Sequence, residues 1–153
     1  MQKTSAGLLM YRVNERGIEV FLVHPGGPFW ARKDLGAWSI PKGEPGPDEA
    51  PLEAAIREFD EETGIKPSGA FVELTPIRQK AGKTVLAWAF EGDADPKSIR
   101  SNSFRVEWPP KSGTWKEFPE VDRAAWFPIE EARARINQGQ SHFLSQLERL
   151  LGR

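Results

Sequence analysis

The stretch from Asp48 to Gly64 constrains this chain more than any other. Leu52, Ala55, Ile56 and Phe59 fall on one stripe when successive residues are turned by about 100°. Asp48 is a candidate N-cap, Pro51 is tolerated in a first turn, and Gly64 stands where a left-handed cap is wanted. Together they predict a helix over residues 49–63. Its apolar stripe must pack on a core. Glu58, Glu61 and Glu62, spaced i, i+3 and i+4, lie together on a different face. Like charges one turn apart cost an isolated helix about 0.2–0.5 kcal/mol per pair. Something should offset that repulsion.

The rest of the pattern is mixed. Residues 5–13 read as a strand, Asn14-Glu15-Arg16-Gly17 as a turn and residues 18–23 as a second strand. The unbroken run Val20-Phe21-Leu22-Val23 predicts a strand covered on both faces. Residues 24–36 are irregular and rich in glycine and proline, with Phe29 and Trp30 set near Arg32, Lys33 and Asp34. Loops of that length are commonly binding loops or mobile segments. A short strand over 37–40 ends at Pro41, and a loop over 42–48 leads into the helix. Further strands are expected near 71–80, 83–90, 104–108 and 124–127, then helices over 129–137 and 142–151. There is no internal repeat, low-complexity tract or linker, so residues 1–153 read as one α/β domain. A chain of this size can bury a core without staples.

Composition removes several kinds of chemistry. With no cysteine, disulfides, thiolate catalysis and cysteine-ligated metal centres are ruled out. With only His24 and His142, a histidine-rich metal site is ruled out too. Lys plus Arg number 21 against 22 Asp plus Glu, which gives no general field for nucleic acid or an anionic membrane. The apolar run over residues 8–11 is too short for a signal peptide or a membrane helix, so the expected location is the cytoplasm.

Two explanations compete for the clustered glutamates: a solvated acidic face, or a hard divalent cation that takes oxygen ligands from a rigid element. The surroundings separate them. From Gly43 the chain reads five residues, Glu49, seven residues, Arg57-Glu58-Phe59, one residue, Glu61-Glu62, one residue, Gly64-Ile65. This resembles the Nudix box, G-x5-E-x7-R-E-U-x-E-E-x-G-U with U a bulky apolar residue, at every specified position. A chance match in a chain this long is on the order of one in ten million.

The resemblance implies a Nudix-type α/β/α sandwich with a mixed β-sheet. It also implies an enzyme that uses Mg²⁺ or Mn²⁺ to hydrolyse a diphosphate linkage in a nucleoside diphosphate joined to another group. On that reading Glu58, Glu61 and Glu62 are the acidic residues of the site, and Glu61 and Glu62 are the first candidates for direct metal ligands. A backbone carbonyl at Lys42 or Gly43 adds another ligand. Arg57 positions a box glutamate, and Glu49 stands behind the ligands. Family members often add one acidic residue from a later loop, as ligand or general base. Glu120, six positions before Trp126, occupies that kind of place, with Glu117 in reserve. The simpler reading leaves both as solvated loop charges.

Trp38-Ser39-Ile40-Pro41-Lys42-Gly43 resembles the W-x-x-P-K-G lead-in of the diadenosine polyphosphate hydrolase branch. Trp38 and Lys42 are therefore candidate substrate-binding residues, and Lys83 is a second lysine placed to meet phosphate. Gly82-Lys83-Thr84 imitates a P-loop ending, but Ile77 stands where the earlier glycine is required. Trp88 and Trp126 sit in apolar strand contexts and read as core. Trp30, Trp108 and Trp115 lie in or beside loops, where an aromatic ring can stack on a base. A lone histidine is more often structural, and both histidines are read so.

The leading function is a nucleotide pyrophosphohydrolase, with dinucleoside polyphosphates ahead of nucleoside triphosphates. Its expected partner is a small nucleotide, and the family resemblance allows a homodimer. The isopentenyl diphosphate isomerase branch needs a cysteine and is excluded. The alternative is a catalytically silent Nudix-fold nucleotide sensor, but such proteins typically lose box carboxylates that this chain keeps.

Overall fold

The computed structural model describes residues 3–153. Strand β1 (Thr4–Asn14) alternates its side chains between two faces. Leu9 points into one apolar cluster, and Ala6, Leu8 and Met10 point into another. Strand β2 (Gly17–Pro25) alternates in the same way, Val20 and Leu22 against Phe21 and Val23. The continuous apolar run thus belongs to a strand covered on both sides, as predicted. β6 (Thr84–Glu91) runs parallel to β1, and β9 (Val121–Pro128) runs antiparallel to β2. β4 (Val72–Glu73) and β5 (Ile77–Arg78) add short antiparallel pieces to β6. The sheet is mixed.

Helix α1 (Pro51–Thr63) lies on one face, burying Ala54, Ala55 and Phe59 with Phe21 and Phe90. On the other face α2 (Ile129–Arg135) and α3 (His142–Leu150) bury Ile129, Ala132, Phe143, Leu144 and Leu147 against Leu9, Val20 and Leu22. This is the expected α/β/α sandwich. No helix among the described residues is long and apolar enough to cross a membrane.

The site is prepared where β1 and β2 part. β2 pairs with the far half of β1, from Tyr11 to Asn14, while β3 (Lys42–Gly43) pairs with its beginning at Ala6 and Gly7. Gly7 makes this possible, because a Cβ there would come within 2.6 Å of the Pro41 carbonyl oxygen. Ser39 bridges to Val23 of β2, so residues 39–43 fill the fork between the two strands. The expected strand over 37–40 is accordingly only a pair of bridges, Val23 with Ser39 and Trp38 with Ile136.

Other boundaries moved for local reasons. The helix starts at Pro51 with Ala50 as N-cap, making no side-chain cap bond, instead of at the expected Asp48. Proline forces the preceding residue out of the helical region, and Ala50 is extended at φ −67°, ψ 146°. Gly64 does close the helix at φ 74°, its N–H bonded to the Asp60 carbonyl. The expected strand over 71–80 is broken around Pro76, which lacks a donor. There the side chain of Gln146 on α3 bonds both the N–H and the carbonyl of Thr75. β7 (Ser103–Glu107) finds its partner in β8 (Trp115–Pro119), read from sequence as loop, and the two form a separate hairpin.

Phe59 is fully buried, with ring centroids 5.4 Å from Phe90 and 6.4 Å from Phe21. Phe59→Ala should destabilise the protein by about 3–5 kcal/mol. Urea unfolding will check this as a lower midpoint at unchanged slope.

Candidate active site

The carboxylates of α1 are organised by one guanidinium. Arg57 Nε and Nη2 each donate to Glu49 at 2.8 Å, and Nη1 donates to Glu58 at 2.9 Å and to Glu61 at 3.1 Å. This is the offset that the repulsion of neighbouring glutamates requires. Glu49 also accepts from the Gly46 N–H, and with Arg57 beside it its carboxyl is lowered to about 2. Charge-assisted bonds to Glu49 raise Arg57 in turn. The ion pairs fix geometry more than they add stability, since Arg57 is partly exposed.

Gly43 faces these groups without a side chain. A Cβ there would stand 2.1 Å from the Glu58 carboxyl carbon, so β3 passes this close to the helix only because residue 43 is glycine. Glu62, one turn beyond Glu58, is only 8 % exposed. Burial first, then the charges of Glu58 and Glu120, pushes its carboxyl up to about 9, although the Lys42 N–H and ammonium oppose the shift. Glu120, between β8 and β9, is raised too, by desolvation and then by Glu58 and Glu61. Four carboxylates therefore feel one another.

Two cavities meet beside them. One, of about 240 Å³, is lined by Glu62, Glu120 and Lys42 together with Trp30, Ser39, Asn137 and Gln140. The other, of about 210 Å³, shares Lys42, Asn137 and Gln140 and is lined also by Lys3, Lys83, Glu44 and Gln79. Burial lowers the Lys42 ammonium against the opposing charge of Glu62, and Lys83 adds to the lowering. Three lysines around one small space have no ion-pair partner among the described residues. That is an arrangement for an anion.

The residues singled out from sequence divide accordingly. Arg57, Glu58 and Glu61 are joined by hydrogen bonds, and Glu62, Glu120 and Lys42 share one cavity, with Lys83 in the next. Glu117 lies on β8 opposite Arg105 and lines neither cavity. Trp38 departs from expectation. It is 4 % exposed, bonds Asp34 through its indole N–H and packs edge-on against Phe127, so its ring is taken by the core and not left for substrate. His24 is buried and structural. Its Nε2–H donates to the Lys33 carbonyl at 2.6 Å, and Nδ1 lies 2.8 Å from Asp122. Trp126 packs on Phe21, as its strand context suggested. Lys3, Asn137 and Gln140 were not anticipated. Only their proximity in the fold marks them, and no local pattern announces it.

The residues fit a hard cation. Glu62 is a buried carboxylate whose charge is opposed by its carboxylate neighbours, and nearby positive charge is what would ionise it. Among the described residues no three carboxylates converge closely enough to enclose an ion in this arrangement, in which Arg57 engages Glu58 and Glu61.

The family model described as NUDIX domain matches residues 1–147. The chain belongs to the Nudix family. The bis(5'-nucleosyl)-tetraphosphatase [asymmetrical] of Mus musculus is 40% identical over 95% of this chain and 98% of its own length. The Rattus norvegicus protein of that name is 30% identical over the same shares. A C. elegans Ap4A hydrolase crystal structure superposes with a TM-score of 0.70 at 23% identity, covering 98% of each chain, and shows the common fold. These findings agree with the sequence reading of a Nudix hydrolase, a family that generally needs divalent metal ions.

Because Glu62 binds its proton more tightly in the folded protein than in the unfolded chain, the unfolded state releases that proton first as pH rises. Metal-free protein should therefore lose stability between about pH 5 and pH 9 through this group. Glu62→Gln should flatten that loss by at least about 1 kcal/mol. Urea unfolding with a chelator at the two pH values will measure it, and an equal loss in wild type and Glu62→Gln would show that Glu62 is ionised in the fold.

Proposed function

We propose that this chain, acting as one domain over residues 1–153, hydrolyses a phosphoric anhydride in a nucleoside diphosphate joined to another group. Dinucleoside polyphosphates come first as substrates and nucleoside triphosphates second, with Mg²⁺ or Mn²⁺ as cofactor. The observation that carries this reading is the lysine-lined cavity of Lys3, Lys42 and Lys83 set directly beside the carboxylate cavity of Glu62 and Glu120. One side suits a phosphate chain and the other a hard cation. The kinship with tetraphosphatases over nearly the full length of both chains supports the order of substrates.

Glu58, Glu61 and Glu62 would hold the ion, with the backbone carbonyl of Lys42 or Gly43. A bound divalent cation supplies the positive charge that lets an anionic phosphate approach carboxylates, and it makes water a stronger acid. Lys42 and Lys83 draw in the phosphates and hold the chain along the fork between β1 and β2. Arg57 keeps Glu58 and Glu61 from swinging apart. Glu120, which lines the same cavity as Glu62 and whose carboxyl is raised by desolvation, accepts the proton of the attacking water. A new bond forms from that water oxygen to phosphorus as the bridging P–O bond breaks, and the departing phosphate carries away the electron pair. No covalent enzyme intermediate is needed. A silent sensor is the weaker reading, because Arg57, Glu58, Glu61 and Glu62 are all retained.

Incubation of diadenosine tetraphosphate with enzyme and Mg²⁺ should yield ATP and AMP on anion-exchange chromatography. Monophosphate plus pyrophosphate from a triphosphate would move the substrate to the second class. Glu62→Gln should lower kcat by about 100-fold or more. Lys83→Ala should raise KM for the tetraphosphate by about tenfold, chiefly through lost phosphate contact. Wild-type protein that binds nucleotide but shows no metal-dependent turnover on either class would overturn the assignment.

A further inference from the structure

Trp30 is the largest side chain at the mouth of the carboxylate cavity, and no part of the hydrolytic mechanism uses it. It is 37 % exposed, with the Lys33 ammonium 5.1 Å from its ring centroid, and leaving that much apolar ring in water works against folding. Yet its place is built with care. The Lys33 N–H donates to the Trp30 carbonyl at 3.0 Å, closing a turn, and the Lys33 carbonyl is held in turn by buried His24. The Gly26 N–H is bonded to the carbonyl of Glu120, so the loop that carries Trp30 is tied to the segment that carries the acidic residue. Next to Trp30, Phe29 stands edge-on to Trp108, with centroids 5.3 Å apart, and joins the loop to the β7–β8 hairpin.

The cavity under Trp30 is apolar along Val23, Pro25, Ile40 and Val121 and ends at Glu62 and Glu120. At about 240 Å³ it lies below the roughly 300–1,000 Å³ of sites for drug-sized ligands. It has room for one nucleoside and not for two. Asn137, an exposed residue that also lines the cavity, accepts from the Gly139 N–H through Oδ1 and leaves its amide N–H groups without a protein partner among the described residues. An aromatic face, apolar walls and a spare donor are the three elements that hold a base. The lysine cavity begins where this one stops, so a phosphate chain can run from one to the other past the carboxylates.

We propose that Trp30 is the stacking platform for the nucleobase of the half of the substrate that leaves as a nucleoside monophosphate, with Asn137 presenting its amide N–H groups to an acceptor on that base. This rests on the hydrolase reading only in naming the half that leaves. The binding site itself can be tested without turnover.

The test compares AMP with ribose 5-phosphate, which keeps the sugar and phosphate and lacks the base. Titration calorimetry with Mg²⁺ present would use wild type, Trp30→Ala and Trp30→Phe. Wild type should bind AMP more tightly than ribose 5-phosphate. Trp30→Ala should weaken AMP binding by about tenfold and leave ribose 5-phosphate within about twofold, and Trp30→Phe should recover most of the loss. Unchanged AMP affinity in Trp30→Ala overturns the proposal. Equal weakening of both ligands overturns it as well, since the ring would then only be packing the loop. A wild type that binds AMP through Trp30 yet hydrolyses nothing would count against the hydrolase reading and leave the platform standing.

Discussion

The architecture of the site depends on how four glutamates are kept close together. Glu58, Glu61 and Glu62 lie within two turns of one helix, and Glu120 is brought in from the connection between β8 and β9. Left alone, such a group would push the helix end apart or draw it into solvent. Arg57 prevents that by bonding Glu49, Glu58 and Glu61 at once. Glu49 lies ahead of the helix, so the same guanidinium also fastens the loop after β3 to α1. Glu62 is the member on this helix that Arg57 does not reach. It carries the largest burial penalty of the group and faces the cavity into which substrate would come.

Local sequence was informative wherever one segment determines its own surroundings. The stripe of Leu52, Ala55, Ile56 and Phe59 announced both the helix and the side it buries, and the run from Val20 to Val23 announced a strand covered twice. The spacing from Gly43 to Ile65 identified the carboxylates and the arginine that holds them. The helix start was misplaced although the reason was in view, because Pro51 dictates the conformation of Ala50 more strongly than Asp48 attracts a cap.

What escaped was set by partners far away in the chain. Residues 37–40 have strand character, but Trp38 pairs with Ile136 and Ser39 with Val23, on two different neighbours. No ladder can extend there. Trp38 looked like a substrate contact from its place before Lys42. Asp34, Phe127 and His24 together make it a core residue, and none of those contacts is readable from the motif. β8 became a strand only through pairing with β7. Lys3 meets Lys83 in one cavity because β1 and β6 run side by side, and Asn137 and Gln140 join them from the other end of the chain.

The two faces of the sheet also become covered at different times during synthesis. α1 follows β1 and β2 closely and can shield Phe21 and Met10 early. The face formed by Leu9, Val20 and Leu22 waits for Ile129 and Ala132 of α2 and for Phe143, Leu144 and Leu147 of α3. A ribosome releasing this protein therefore holds a sheet with one incompletely covered apolar side until both of those helices have emerged. The connection between those two helices carries Asn137 and Gln140, which line the lysine cavity. Closing that face of the sheet and closing the lysine-lined cavity are thus linked, because one connection serves both.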